Sequence, residues 1–519
     1  MRRLKRAVAL AVSSFCLAGC AIFAVDMAPD RPDQPWNPAT TVTGEIIPGA
    51  KAPPDSTGPG YVLPSNAEVA SVPPPPPGVD LRRAYMLPEL IDIAQMNNPL
   101  TRTAWNDARK VALAAGIAES TYLPRITASA AGAYLTSEGN SSATVSAGNV
   151  AVGANTSTST SARGTISAVS LQWLLFDFGA REAIIEAAKQ ASVISNIAFT
   201  AAHQQVIYDV SVAFYLNAAA RARAATAAQS LRNAQAVEAA ANDRYRNSIG
   251  TVIEVSQARQ ATAQARLVVV QATGGAQNTY LNLISAMGIS PLTKLRIADV
   301  SRRSLSPNMA TSVERIISTA LARRPDILTA YAAQKASLAN FRAAAAEFLP
   351  KVFLTGTSAW NSGNLNVTAL PSIGQEAPTV NLSGNRSSSS VFLGATVPLY
   401  DAGVRAAKVT QAQADVDNAN VMLVRRQNEA VRQIALADNA LRTSLSAVSA
   451  SGSLSKAAQT TFDAALASYR NGVGSITDLN IASTQLLQAK NASTDAYSTA
   501  LSAAAALALS AGVLGVGPP

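Results

Sequence analysis

The chain has 519 residues, of which 48% are hydrophobic, 14% charged and 5% aromatic, with a formal charge of +10. One histidine and two cysteines argue against a protein-built zinc, haem or iron–sulfur centre and against a disulfide scaffold, so no metal or other cofactor is expected. After the N-terminus no run of 18 uncharged apolar residues occurs, which excludes a bundle of transmembrane helices. No Lys/Arg cluster with interleaved aromatics accompanies the charge, and nucleic acid is not an expected partner.

Residues 1–19 read as a lipoprotein signal peptide. Arg2, Arg3, Lys5 and Arg6 precede the apolar stretch 7–17, which is too short to span a bilayer. It ends in Leu17-Ala18-Gly19-Cys20, which resembles a lipobox, so Cys20 is the expected palmitate-type lipidation site. An ordinary secretory signal with a chance cysteine is the alternative. Ala21 and Ile22 follow without an aspartate, favouring sorting to the outer membrane. A lipid chain alone holds a protein only marginally, so a second membrane element is expected. Residues 20–83 read as a Pro-rich tether culminating in Pro73 to Pro77, an extended polyproline stretch. An SH3-type ligand is the other reading of it.

The rest of the chain is a tandem duplication, 84–290 and 313–512, joined by a connector at 291–312. At an offset of 226, Pro99 falls on Pro325, Trp105 on Tyr331, and Leu123-Pro124 on Leu349-Pro350. At 224, Phe176-Asp177-Phe178-Gly179 falls on Tyr400-Asp401-Ala402-Gly403, and Arg181 on Arg405. Tyr245-Arg246-Asn247 falls on Tyr469-Arg470-Asn471, Gly250 on Gly474 and Glu254 on Asp478. Alanine bias can imitate some matches but not these Pro, Gly, Tyr and Asp landmarks in order.

Within each repeat the period alternates. A helix is expected over 99–123, then period-two strands over 125–136 and 164–176, separated by a Ser/Thr/Gly-rich solvated loop at 137–163. The second repeat gives a helix over 325–349, strands over 351–360 and 390–399, and a loop at 361–389. Strands of about ten residues suit a tilted transmembrane β-strand. Trp173 and Trp360 fit either an interfacial girdle or core packing. Helices follow over 179–245 and 403–469, each reaching about 100 Å. Turns near 247–250 and 471–474 reverse the chain into helices 252–287 and 476–510. Each returning helix covers half the distance, and the short first helix stacks end to end with it. Small and polar residues line these helices, which fits a hollow ring better than a leucine-rich coiled coil.

With these landmarks in place, 84–512 resembles the outer-membrane efflux protein family, the TolC-like channels. Its carriers are the duplication, the Leu-Pro before each first strand, the Phe/Tyr-Asp-x-Gly corners and the stretches 245–255 and 469–479. The resemblance implies a mainly α protein with transmembrane β. A homotrimeric twelve-stranded barrel would continue into a periplasmic helical barrel, meeting an adaptor (membrane fusion) protein and an inner-membrane pump. Four strands alone leave two edges that hydrocarbon cannot satisfy, so closure needs symmetry mates and outer-membrane lipid around them.

Asp177, Gly179, Asp401 and Gly403 are expected to build the strand-to-helix corners. Asn247, Gly250, Asn471, Gly472 and Gly474 are expected at the periplasmic tips that dock the adaptor. Gly250 and Gly474 should have a positive φ or a close backbone approach. Tyr469 and Asp478 match the family's aperture tyrosine and acid, and Tyr245 and Glu254 are their duplicates. The aperture arginine position holds Gly474, and the second acid position holds Ile481. Packing beneath the turn and gating both remain open for Tyr469, as do helix start and gating for Asp478. The expected function is a passive outer-membrane exit duct of a tripartite efflux or type I secretion system, with no catalytic residue. The alternatives are a structural coiled-coil envelope lipoprotein and a hydrolase, for which no nucleophile elbow or ligand cluster exists.

Overall fold

The computed structural model describes residues 28–29, 31–52, 60–136, 141–147, 150–156, 161–299, 305, 313–363, 367–371, 380–382 and 387–515. Cys20 lies outside them. The chain divides into two compact units, residues 1–79 and 80–519. In the first, the segment expected to be a plain tether carries a hairpin, β1 (Pro38–Thr40) pairing antiparallel with β2 (Ile46–Lys51). Gly44 turns the chain at φ 88°, where a Cβ would collide with the Ser65 carbonyl oxygen.

The second unit holds the two repeats. β3 (Ala84–Tyr85) pairs parallel with β8 (Arg296–Ile297), which puts a strand inside the expected connector. Helix α1 (Leu87–Asn97) is separated from α2 (Pro99–Glu119) at Asn98, whose ψ of 127° is the extended backbone that a following proline imposes. Helix α2 stops short of 123, and a 3-10 turn over Ser120–Tyr122 finishes the descent to the strand. The first repeat continues through β4 (Arg125–Thr136), β5 (Ser141–Ala147), β6 (Val150–Thr156) and β7 (Ser161–Phe176) to α3 (Ala180–Arg246) and α4 (Val252–Ala286). The second supplies α5 (Val313–Leu321), α6 (Pro325–Ala346), β9 (Lys351–Gly363), β10 (Val367–Pro371), β11 (Val380–Leu382), β12 (Ser387–Thr396), α7 (Val404–Arg470) and α8 (Ile476–Ser510). Helix α6 thus ends before 349. The last strand lies three residues upstream of the expected 390–399 at both ends, and 397–400 lead from it to the corner.

Alanine-rich sequence without internal proline sustains 67 residues of helix in both α3 and α7. Helix α3 contacts α2 and α4 on one flank and α6 and α8 on the other, and α7 contacts α6 and α8. The short helices meet the returning ones end to end. Asn98 donates its side-chain amide to the Ala286 carbonyl across 2.9 Å, while Gly288, at φ 73°, approaches so closely that a Cβ would lie 2.6 Å from the Asn98 Cα. At the equivalent joint Arg324 donates to the Ser510 carbonyl at 2.8 Å and to Asp326 and Gln433. A layer four helices wide results, closely spaced because alanines such as Ala227, Ala234, Ala258, Ala339 and Ala482 are buried in it. Helix α5 also packs on α7, with Ala320 beside Ile434 and Leu441 in one buried cluster.

The segments expected to be loops are corrected by a second sheet of order β11-β10-β6-β5, in which β6 pairs with β10 across the repeats, Val152 opposite Ala369. Uncharged Ser/Thr/Val/Ala sequence reads as solvated when only charge and periodicity are weighed, yet its β-propensity suffices once a partner strand is alongside. The longer strands form an antiparallel sheet of order β12-β9-β7-β4 in which β7 and β9 join the repeats. Register sorts its two faces. Thr127, Ser170, Thr357 and Ser390 make one row across the four strands, and Ile126, Leu171, Gly356 and Val391 the adjacent row on the opposite face. Trp173, Leu354, Leu393 and Trp360 belong to the apolar face. The Ser/Thr-bearing face is crowded, with Ser170, Thr355 and Ala359 buried beside Ile166 and Phe353, whereas Val391 and Leu393 on the other face are 72% and 70% exposed. The sheet therefore curves toward its polar side. No helix of the described residues is long and apolar enough to cross a membrane.

Candidate functional site: the corners and the paired tips

Each strand-to-helix corner is built from two consecutive left-handed residues, Phe178 (φ 53°) with Gly179 (φ 93°) and Ala402 (φ 56°) with Gly403 (φ 87°). This compact reversal leaves the preceding aspartate level with the first helical turn. Asp177 Oδ2 accepts from the Arg181 backbone N–H at 2.8 Å, and Asp401 Oδ2 from the Arg405 N–H at 2.9 Å. Both cap the positive end of a long helix from outside it.

The arginines at these corners, read from sequence only as landmarks, do more than pair. The buried Arg181 guanidinium binds Asp177 and donates to the carbonyls of Thr121, Leu174 and Leu175 at 3.1, 2.6 and 3.1 Å. It also lies 4.8 Å from the centre of the Tyr122 ring. Arg405 repeats the scheme with Asp401, the Pro398 carbonyl and the Phe348 ring. Each therefore fastens the turn that follows the short helix, the segment at the strand end and the long helix together.

The tips at the far ends of α3 and α7 are both Schellman turns. Asn247 and Asn471 are the C-caps. Ser248 N–H bonds the Tyr245 carbonyl and Ile249 N–H the Arg244 carbonyl, while Gly472 and Val473 make the same bonds to Tyr469 and Ser468. The left-handed positions are Ser248 (φ 60°) and Gly472 (φ 82°), not Gly250 or Gly474. The latter two serve close approach instead, since a Cβ would come within 3.0 Å of the Arg244 and Ser468 Cβ atoms respectively. Thr251 and Ser475 then cap the returning helices, accepting from the Glu254 and Asp478 N–H groups at 3.2 and 3.1 Å.

Serine is strained where its sister repeat has glycine. Left-handed geometry costs a non-glycine residue roughly 1–2 kcal/mol, and glycine's entropic penalty offsets part of the relief. Ser248→Gly is therefore expected to stabilise the first tip by up to about 1 kcal/mol, read as slower amide exchange at Ile249.

The two tips meet through the second repeat's tyrosine. Tyr469 is fully buried, over a core of Val237, Ala241, Phe462 and Leu479, and its hydroxyl donates to Glu254 Oε2 at 3.2 Å. Burial, with the Glu254 carboxylate beside it, pushes this phenol up to about 12, so it remains a donor across physiological pH. Arg244 completes the cluster. Its guanidinium lies 4.9 Å from the Tyr469 ring centre, donates to the Tyr469 and Ile249 carbonyls at 2.8 and 3.3 Å, and stands 3.8 Å from Glu254.

Of the four aperture candidates, Tyr469 and Glu254 come together. Tyr245 is 48% exposed and outside the cluster, and Asp478 is exposed, its carboxylate accepting from the Ser475 hydroxyl at 2.7 Å. Sequence reasoning missed Arg244 because its duplicate position holds Ser468, so landmark matching passes over it. The signal was that very asymmetry, a cation in one repeat beside an aligned tyrosine.

A protein family described as outer membrane efflux protein matches residues 90–289 and 316–513, the two repeats. Protein CyaE of Bordetella pertussis is 28% identical over 360 residues, which is 69% of this chain and 69% of its own. Among solved structures, CusC, described with transmembrane channel formation, superposes with a TM-score of 0.68 at 20% identity, covering 82% of this chain and 92% of that one. The outer membrane protein VceC of Vibrio cholerae gives 0.66 at 19% identity, covering 82% and 96%.

Proposed function

We propose that this chain, which belongs to the outer membrane efflux protein family, works as a trimer whose sheets close into one barrel. As a member it is an outer-membrane exit duct for efflux or type I secretion that extends into the periplasm. The observation that carries the closed barrel is the sheet β12-β9-β7-β4, whose Thr127-Ser170-Thr357-Ser390 and Ile126-Leu171-Gly356-Val391 rows lie on opposite faces, with, among the described residues, a strand lacking a second partner at each end. In hydrocarbon those edges must be paired, and pairing β4 of one copy with β12 of the next removes them all. Three copies give the twelve strands that the family resemblance implies.

The helical layer offers the same kind of closure. Leu113, Ile117 and Val270 are exposed on α2/α4, and Val421, Val424 and Leu436 on α7, so neighbouring copies can bury one flank against the other. At the far end, exposed Ile249, Val252, Ile253 and Val473 surround the tips, an apolar rim suited to the hairpin of a periplasmic adaptor. The Arg244–Tyr469–Glu254 cluster holds the two helical hairpins together and keeps the entrance narrow. Transport energy comes from an inner-membrane pump, so the duct itself catalyses nothing. A lipid on Cys20 is the second membrane attachment, and residues 137–163 and 361–389 face the exterior.

Full-length protein purified in mild detergent should have the mass of three chains and should conduct ions in planar bilayers. A monomeric, non-conducting product would overturn the barrel.

A further inference from the structure

Arg125 and Lys351 occupy one place in the two repeats. Each follows a Leu-Pro pair and opens the first long strand of its repeat. Arg125 stands opposite Gln172, Gln172 opposite Thr355, and Lys351 shares the face of Thr355 four residues away along β9. Both cations therefore lie on the polar side toward which the sheet curves, at the end where the helices begin. Lysines and arginines that reach for lipid headgroups belong on the opposite, apolar face, and register excludes that placement here. Arg125 is exposed and Lys351 half-buried.

Among the described residues neither cation is paired with an acid. β4, β7, β9 and β12 contain no aspartate or glutamate. Of the acids around the corner, Asp177 pairs with Arg181, Asp401 with Arg405, Glu347 with Lys408 and Glu119 with Lys189, while Glu182 lies on the first turn of α3.

We propose that Arg125 and Lys351 form a cationic collar at the inner mouth of the barrel and give the duct a preference for anionic, carboxylate- or phosphate-bearing solutes. The proposal rests on the closed-barrel reading, in which each copy contributes both cations to a single ring. A passage lined by one sign of charge with low-dielectric walls concentrates counter-ions. The field of each charge decays over about 10 Å at 0.1 M salt, so the preference grows as salt is lowered.

The test is the reversal potential of full-length trimers in planar bilayers under a KCl gradient. Wild type should favour chloride. R125Q/K351Q should still conduct, with a chloride-to-potassium permeability ratio reduced by up to about tenfold at low salt, whereas R125K/K351R should retain the wild-type ratio. A cation-preferring wild type, or a ratio that the glutamine pair leaves unchanged, overturns the collar. Absence of any conducting event in wild type tells instead against the barrel reading.

Discussion

Arg244→Ala is expected to open the tips without dissociating the assembly. The change removes the donor to the Tyr469 and Ile249 carbonyls, the cation against the Tyr469 ring and the partner of Glu254, whose side chain is only 23% exposed. Leaving a largely buried carboxylate and carbonyl without their cation costs about 2–3 kcal/mol. On the proposed gating role, losing these contacts should shift the closed-to-open balance by roughly 30- to 150-fold. Single-channel conductance should rise and cells should admit large antibiotics, while the melting temperature of the trimer, set by barrel and helix packing far away, stays put. Arg244→Lys should rescue only partly, since a point-like ammonium cannot reach two carbonyls and cover the ring at once. Tyr469→Phe, which deletes one hydrogen bond to Glu254, should have a smaller effect of about 1 kcal/mol. Wild-type conductance in Arg244→Ala would make the cluster mere packing beneath the turn.

Arg181→Ala should have the opposite signature, a loss of assembled protein rather than a change of gating. Arg181 is buried and serves three carbonyls and one carboxylate from three different elements, so its removal strands all of them where water is scarce. A loss of about 3–5 kcal/mol is expected, a large fraction of the stability of most domains. Arg405→Ala should be milder, because its partner Asp401 has a 30% exposed side chain and water can take over part of the hydration. Yield of detergent-resistant trimers and their melting temperature measure both. An Arg181→Ala protein that assembles and melts like wild type would show that the Asp177 cap and the left-handed pair Phe178-Gly179 suffice to hold the corner.

The amino-acid sequence by itself determined the plan of the molecule. Proline at 99, 124, 325 and 350 and the Asp-x-Gly corners mark changes of direction that local sterics enforce in any context, so the order of helices and long strands followed from them. The 67-residue lengths of α3 and α7 were legible for the same reason, as nothing between corner and tip interrupts a helix. Local chemistry also fixed the caps at Asp177, Thr251 and Ser475, whose partners lie within four residues.

What sequence could not decide was every property that depends on a partner from elsewhere in the chain. The strand faces are weak in any one strand and become plain only when register aligns Ile126 with Leu171 and Thr127 with Ser170. The β5–β6 and β10–β11 strands exist because the two repeats lie side by side. The duplicated tyrosines are alike in sequence, yet Tyr469 is buried against Arg244 and Glu254 while Tyr245 faces solvent. Duplication makes the two repeats equal in pattern, but α3 contacts α2 and α4 of its own repeat and α6 and α8 of the other, whereas α7 contacts α5, α6 and α8 of its own repeat. Tertiary position, not local sequence, therefore broke the symmetry at the site.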